Sequence, residues 1–147
     1  MLAQQKSTIV QLVKNFLKAN PKTGYVIFHV FQESPTAGKL PIPNARVAVS
    51  KYLGEGYFVS TIHMTDANGN TDIIPLPAVQ TKPASTLENC NECTTYNARI
   101  EAPGFITKDV LGFKVLENAL VHEQVALLPG ANREVRQIFI EENYPSL

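Results

Sequence analysis

The sequence holds no tryptophan, only two methionines and only two cysteines in 147 residues. The two cysteines, Cys90 and Cys93, are too few for a disulfide-stapled scaffold. An excess of charge is missing too: 13 basic side chains stand against 13 acidic ones, and the formal net charge is zero. Without a positive excess there is no field to draw in nucleic acid or an anionic membrane surface. No apolar run nears the ~18 residues of a membrane helix, so membrane insertion by a helix is not expected. The N-terminus has Lys6 and then a mixed pattern without a signal-peptide h-region. Residence in the cytoplasm is therefore the default expectation, and the compartment stays open. Hydrophobic residues still make up 44% of the chain, which is enough for one globular domain with a real core.

Residues 2–19 read as a helix, because Ile9, Leu12, Val13, Phe16 and Leu17 recur at helical spacing on one face. Asn20-Pro21 ends it, since proline disfavours helix in the residue before it. The rest alternates with period two. Val26, Phe28 and Val30 share a face of one strand, with Tyr25, Ile27, His29 and Phe31 on the other. Further strands follow at Ala45–Val49, Phe58–Met64, Tyr96–Ala102, Ile106–Val115 and Val121–Leu127. Phe58, Ile62 and Met64 read as the more core-like side of their strand, which sets His63 on the other. Between strands stands Thr65-Asp66-Ala67-Asn68-Gly69-Asn70, and Asn-Gly is a strong hairpin signal. A short strand leaves that turn at Thr71–Leu76. Pro77 to Cys93 has no periodicity, and loops of that length are usually functional or mobile. The pattern predicts an antiparallel β-sandwich of about seven strands with an added N-terminal helix. Residues 1–21 are the helix, 22–129 the sandwich and 130–147 a C-terminal extension with an apolar patch at Ile138, Phe139 and Ile140.

Gly38-Lys39-Leu40-Pro41-Ile42-Pro43-Asn44-Ala45-Arg46-Val47-Ala48-Val49 resembles the opening of carboxypeptidase regulatory-like domains. Thr65–Asn70 resembles their central turn, Tyr96–Phe105 their penultimate hairpin and Val125–Pro129 their last strand. The resemblance spans about residues 24–129 in the right order and implies a transthyretin-like (prealbumin-like) sandwich. It implies a non-catalytic accessory module, of a kind similar to those in spore- and cell-wall-associated bacterial proteins. The N-terminal helix and the cysteine-bearing loop lie outside the usual pattern. Related transthyretin-like hydrolases that act on hydroxyisourate resemble the chain at His29-Val30 and at the Asp66–Gly69 turn. Their closing Tyr-Arg-Gly-Ser is replaced here by Tyr144-Pro145-Ser146-Leu147.

The candidate chemistry is sparse. Asp66, Asn68, Asn70 and Asp72 are spaced like the start of an EF-hand loop, but Thr71 and Pro77 stand where that loop needs glycine and glutamate. No metal is expected. A single C-x-x-C without a second pair or a nearby histidine makes no zinc site, and two loop thiols or a local disulfide is the reading. His29, His63 and His122 are on different strands, and one histidine without acid/base partners is no mechanism. No cofactor motif is present. The expected function is a non-enzymatic interaction or structural module with a protein or cell-surface partner, self-association included. The alternatives are a hydroxyisourate-type hydrolase and a carbohydrate-binding module. Binding is expected at the long loop, through Lys82, Glu88, Cys90, Glu92 and Cys93, together with the Tyr52 and Tyr57 turn.

Overall fold

The computed structural model describes residues 2–131, with side chains from Thr8 onward apart from that of Tyr57. The Ile138–Ile140 patch lies outside the described residues. Helix α1 (Leu2–Ala19) precedes eight strands: β1 (Lys22–Ser34), β2 (Gly38–Pro41), β3 (Arg46–Gly54), β4 (Tyr57–Met64), β5 (Ile74–Ala78), β6 (Thr95–Glu101), β7 (Lys108–Lys114) and β8 (Leu120–Ala126). They form two sheets packed face to face, a β-sandwich. One sheet has the order β4-β3-β6-β7, and the other is built on β1 with β2, β5 and β8 around it. Between them lie Val26, Phe28, Val30, Val47, Val49, Ile74, Ile100, Val125 and Leu127, all essentially inaccessible. Burying each such side chain contributes about 1.5–3 kcal/mol.

One pair departs from the expected antiparallel pattern. β8 runs parallel to β1, with Phe28 opposite Glu123 and Val30 opposite Val125. The chain crosses from β7 in one sheet to β8 in the other, so β8 is not tied to β1 by a hairpin and can pair with it in either direction.

The Thr65–Pro77 stretch is not a hairpin between neighbouring strands, as the Asn-Gly signal led us to expect. It carries the chain from β4 in one sheet to β5 in the other, whose partner is β1. The turn is itself built into the β1 sheet. β5 lines residues 22–26 of β1 and β2 lines residues 31–34. The gap between them is filled by Gly69–Thr71. Val30 N donates to Gly69 O (2.8 Å) and Thr71 N to Phe28 O (3.0 Å), while Phe28 N reaches Thr71 Oγ1 (3.0 Å). Asp66 holds the turn in shape by accepting from Asn68 N and Asn70 N at 2.9 and 3.0 Å. One oxygen of the carboxylate that resembled a calcium ligand, Oδ1, thus accepts both backbone donors of the turn.

The β4 faces are the reverse of the sequence reading. Val47 pairs with His63 and Val49 with Thr61. Cross-strand partners share a face, and Val47 and Val49 are in the core. Val59, Thr61 and His63 therefore point inward, while Ile62 and Met64 are each 52% exposed. Period two alone could not choose, because both faces carry apolar groups.

Candidate functional site

The sandwich has two flanks where the sheets part. One is stitched by backbone: Phe105 bridges Pro129, and Ile106 N donates to Leu128 O at 2.8 Å. The other, between β4 and β5, is covered by α1. The helix stops where Asn20 turns back, its amide N and Nδ2 both donating to Phe16 O at 2.9 and 2.8 Å. Pro21 then forbids another turn. Asn20 is buried and accepts a short hydrogen bond from Thr94 Oγ1, which fixes the helix end to the start of β6. Phe16 packs edge-on against Tyr96, with ring centroids 6.3 Å apart.

Under the helix a cavity of about 430 Å³ remains. Val13, Phe16 and Leu17 roof it; β3 and β4 supply one wall, and Ile74–Pro77 of β5 the other. Its lining is mostly apolar, with polar groups from Ser50, Lys51, Ser60, Thr61, His63 and Tyr96, and His63 Nε2 lies 2.9 Å from Thr61 Oγ1. Lys51 Nζ donates to Thr95 O at 2.8 Å and sits 5.9 Å from the Tyr96 ring centroid. Burial pulls the Lys51 ammonium below its ordinary pKa. Tyr96 donates its hydroxyl to Pro77 O, and burial pushes that hydroxyl well above its ordinary value.

The sequence-predicted site residues fall elsewhere. Lys82, Glu88 and Glu92 are exposed on the 79–94 segment. Cys90 and Cys93 are buried and joined in a disulfide, so their sulfurs are withdrawn from any ligand and staple the loop instead. The segment is held at several points. Glu117 Oε1 accepts from Thr81 N and Oγ1 (3.2 and 3.1 Å), and Lys114 Nζ donates to Leu87 O (3.3 Å). Thr86 and Asn89 cap each other. Tyr52 lies on the outer face of β3, 51% exposed, with its ring centroid 4.8 Å from that of Phe58. The Tyr57 side chain lies outside the described residues. The loop and the β3–β4 turn leave the same end of the sheet, as the Ser50–Asn97 pairing requires. Among the described residues no hydrogen bond joins them.

The three histidines do not converge. His63 points toward the cavity. His29 is on the outer face of the other sheet, its Nδ1 2.7 Å from Asn70 Oδ1 and its ring stacked on Phe31. His122 pairs with Ile27 one register step away on that same face. Among the described residues no three His, Cys, Asp or Glu side chains are grouped as a metal site would need. No helix among them is long and apolar enough to cross a membrane.

No protein-family model matches the chain, and neither does any curated protein sequence. Solved structures give a distant likeness. A candidate carbohydrate-binding protein from Bacteroides uniformis is 15% identical, with a TM-score of 0.42. The likeness covers 71% of this chain and 41% of that one. A chain of a type II cohesin–X-dockerin complex from Acetivibrio cellulolyticus is 18% identical, with a TM-score of 0.36, over 75% of this chain and 58% of that one. The chain thus spans less than two thirds of the length of either.

The cavity residues were missed by sequence reasoning because Val59, Thr61 and His63 sat on the strand face taken for the outer one. The usable signal was Val47 and Val49 on the preceding strand, which fix the face of whatever pairs with them.

Proposed function

We propose that the chain is a non-catalytic interaction module of the transthyretin-like, carboxypeptidase regulatory-like kind, and that it pairs through β4 with a second strand in trans. One observation carries this reading: β4 is the edge strand with neither proline nor charge, and α1 lies over the neighbouring flank without pairing with its backbone. The other edges are blunted in the ways that sheet edges usually are. β2 is four residues long and ends in Pro41; β5 holds Pro75 and Pro77. β7 is bent by a register shift near Gly112, and β8 turns the carboxylate of Glu123 inward. β4 runs eight residues as Tyr-Phe-Val-Ser-Thr-Ile-His-Met, without proline, glycine, aspartate, glutamate, lysine or arginine. Among the described residues no backbone pairs with its outer side.

An antiparallel two-fold pairing centred on Thr61 sets Phe58, Ile62 and Met64 of two copies on one continuous face. It opposes no like charges. The test is sedimentation across a concentration series, with wild type beside a Ser60→Lys/Ile62→Lys variant. Both sites point outward, so the melting temperature should hold. Wild type should gain mass with concentration and the variant should stay monomeric. A wild-type chain that is monomeric throughout, or a variant that associates equally well, refutes pairing through β4.

A second reading rests on the exposed Tyr52 ring against Phe58: an aromatic pair on a flat sheet face suits stacking on a sugar. Titration calorimetry with soluble oligosaccharides checks it, and no saturable heat would remove it. The Cys90–Cys93 bridge suits an oxidising setting, which fits the wall or spore association that the resemblance implies.

A further inference from the structure

A space of about 430 Å³ beneath α1, partly open to solvent, is inside the range of small-molecule sites. Such sites are mostly apolar with a few placed polar groups, and this one follows the pattern. From Lys51 to the level of His63 the wall spans four residues of β3, roughly 13 Å. The space is bounded by strands of both sheets and roofed by a helix.

Its polarity is graded. Val13, Phe16, Val49 and Ile74 are apolar, Lys51 supplies a cation at one end opposite Val59, and Thr61 and His63 lie further along β4. Among the described residues no carboxylate pairs with Lys51. An ammonium has three donors; one goes to Thr95 O, and the others have no protein acceptor among the described residues. A partly desolvated cation at the end of an apolar channel is the complement of an anionic head on an apolar body.

We infer that the cavity binds a medium-chain amphipathic carboxylate, its alkyl body beneath α1 and its head on Lys51 Nζ. This site is on the inner side of β4, opposite the face that carries Ile62 and Met64. A bound carboxylate would neutralise the cation that burial now disfavours, and the alkyl body would fill the space that Val59 and Thr61 are too small to fill.

The test titrates the full chain with decanoate, decanol and decyltrimethylammonium, each below its micelle concentration, by calorimetry and by amide chemical shifts. Decanoate should bind saturably at one per chain, with shifts confined to α1, β3, β4 and β5. Decanol should bind at least tenfold more weakly, and the cation should show no saturable binding. Lys51→Met keeps most of the side-chain volume, so the fold should persist; it should lose tenfold or more for decanoate and leave decanol unchanged. Lys51→Arg should restore decanoate binding. Val59→Phe, which fills the channel, should abolish both ligands while the protein stays folded. Absence of saturable decanoate binding overturns the inference, as do equal affinity for decanoate in wild type and Lys51→Met or shifts confined to the outer face of β4.

Discussion

Gly69→Ala should be far more costly than alanine at a glycine of the same backbone shape. Gly69 has φ +78°, and an alanine Cβ built there would stand 2.4 Å from Val30 O and 3.2 Å from Ile42 N. Positive φ alone costs a side-chain-bearing residue roughly 1–2 kcal/mol. The contact with Val30 O is with backbone, so either β1 or the turn must move. Val30 donates to Gly69 O and accepts from Ile42 N, and a shift strains both bonds. At about 1 kcal/mol net for each hydrogen bond, the total comes to about 3–4 kcal/mol. That is a large share of the ~5–15 kcal/mol that holds a domain folded. For a domain of this size it lowers the melting temperature by roughly 10 °C. Gly56 is the control: its φ is +80°, and nothing lies within 4 Å of the added Cβ. Gly56→Ala should therefore lose only the conformational part, about 1–2 kcal/mol. Paired urea and thermal melts of the two variants separate strain from collision. Equal losses at the two sites would refute the idea that the turn is wedged into the β1 sheet.

Other perturbations have defined outcomes. Burial raises the pKa of Glu123, so the folded state holds that proton more tightly than the unfolded chain. Its contribution to stability is full below the ordinary carboxylate range and is lost as pH rises through the folded value. Glu123→Gln should therefore stabilise the protein at neutral pH by up to about 1 kcal/mol, and urea melts should show no gain in acid. Reducing Cys90–Cys93 opens a very short loop, for which chain entropy gives about 2 kcal/mol; melts with and without reductant measure it, and a thiol reagent should find both sulfurs unreactive until the protein is reduced and unfolded. Asn20→Ala removes the buried acceptor of Thr94 and should cost about 1–3 kcal/mol, with faster amide exchange in residues 8–19 than in β6.

Much of the fold was legible. The helix face, the strand centres at Val26–Val30, Val47–Val49 and Tyr96–Ile100, and the special character of Asp66–Gly69 all follow from side-chain periodicity and turn chemistry. What periodicity cannot give is partnership. Asn68-Gly69 looks the same whether it joins neighbours or crosses between sheets. Here the answer lay in Val30 and Ile42, far away in sequence. The same limit hid the parallel β1–β8 pair and inverted β4. The loop was located, but its anchors at Thr81 and Leu87 come from Glu117 and Lys114, which no local pattern connects to it. The cavity was hidden by the inverted β4 and because it is a space left by several elements, α1, β3, β4 and β5, that no single segment encodes.

β4 is where these results meet, because its two faces do different things. The side chains of odd-numbered Val59, Thr61 and His63 point toward the cavity, while even-numbered Ile62 and Met64 face solvent, and exposed Ser60 borders the cavity's rim. Period two makes the two roles separable by substitution. A one-residue slip between β3 and β4 would exchange every one of these assignments. The substitutions therefore test the register as well as the function. Lysines at 60 and 62 should abolish pairing and leave decanoate binding intact, and phenylalanine at 59 should do the reverse. If Ser60→Lys/Ile62→Lys emptied the cavity while Val59→Phe broke pairing, the Val47–His63 register would be wrong, and the cavity would lie on the side of β4 now assigned to solvent.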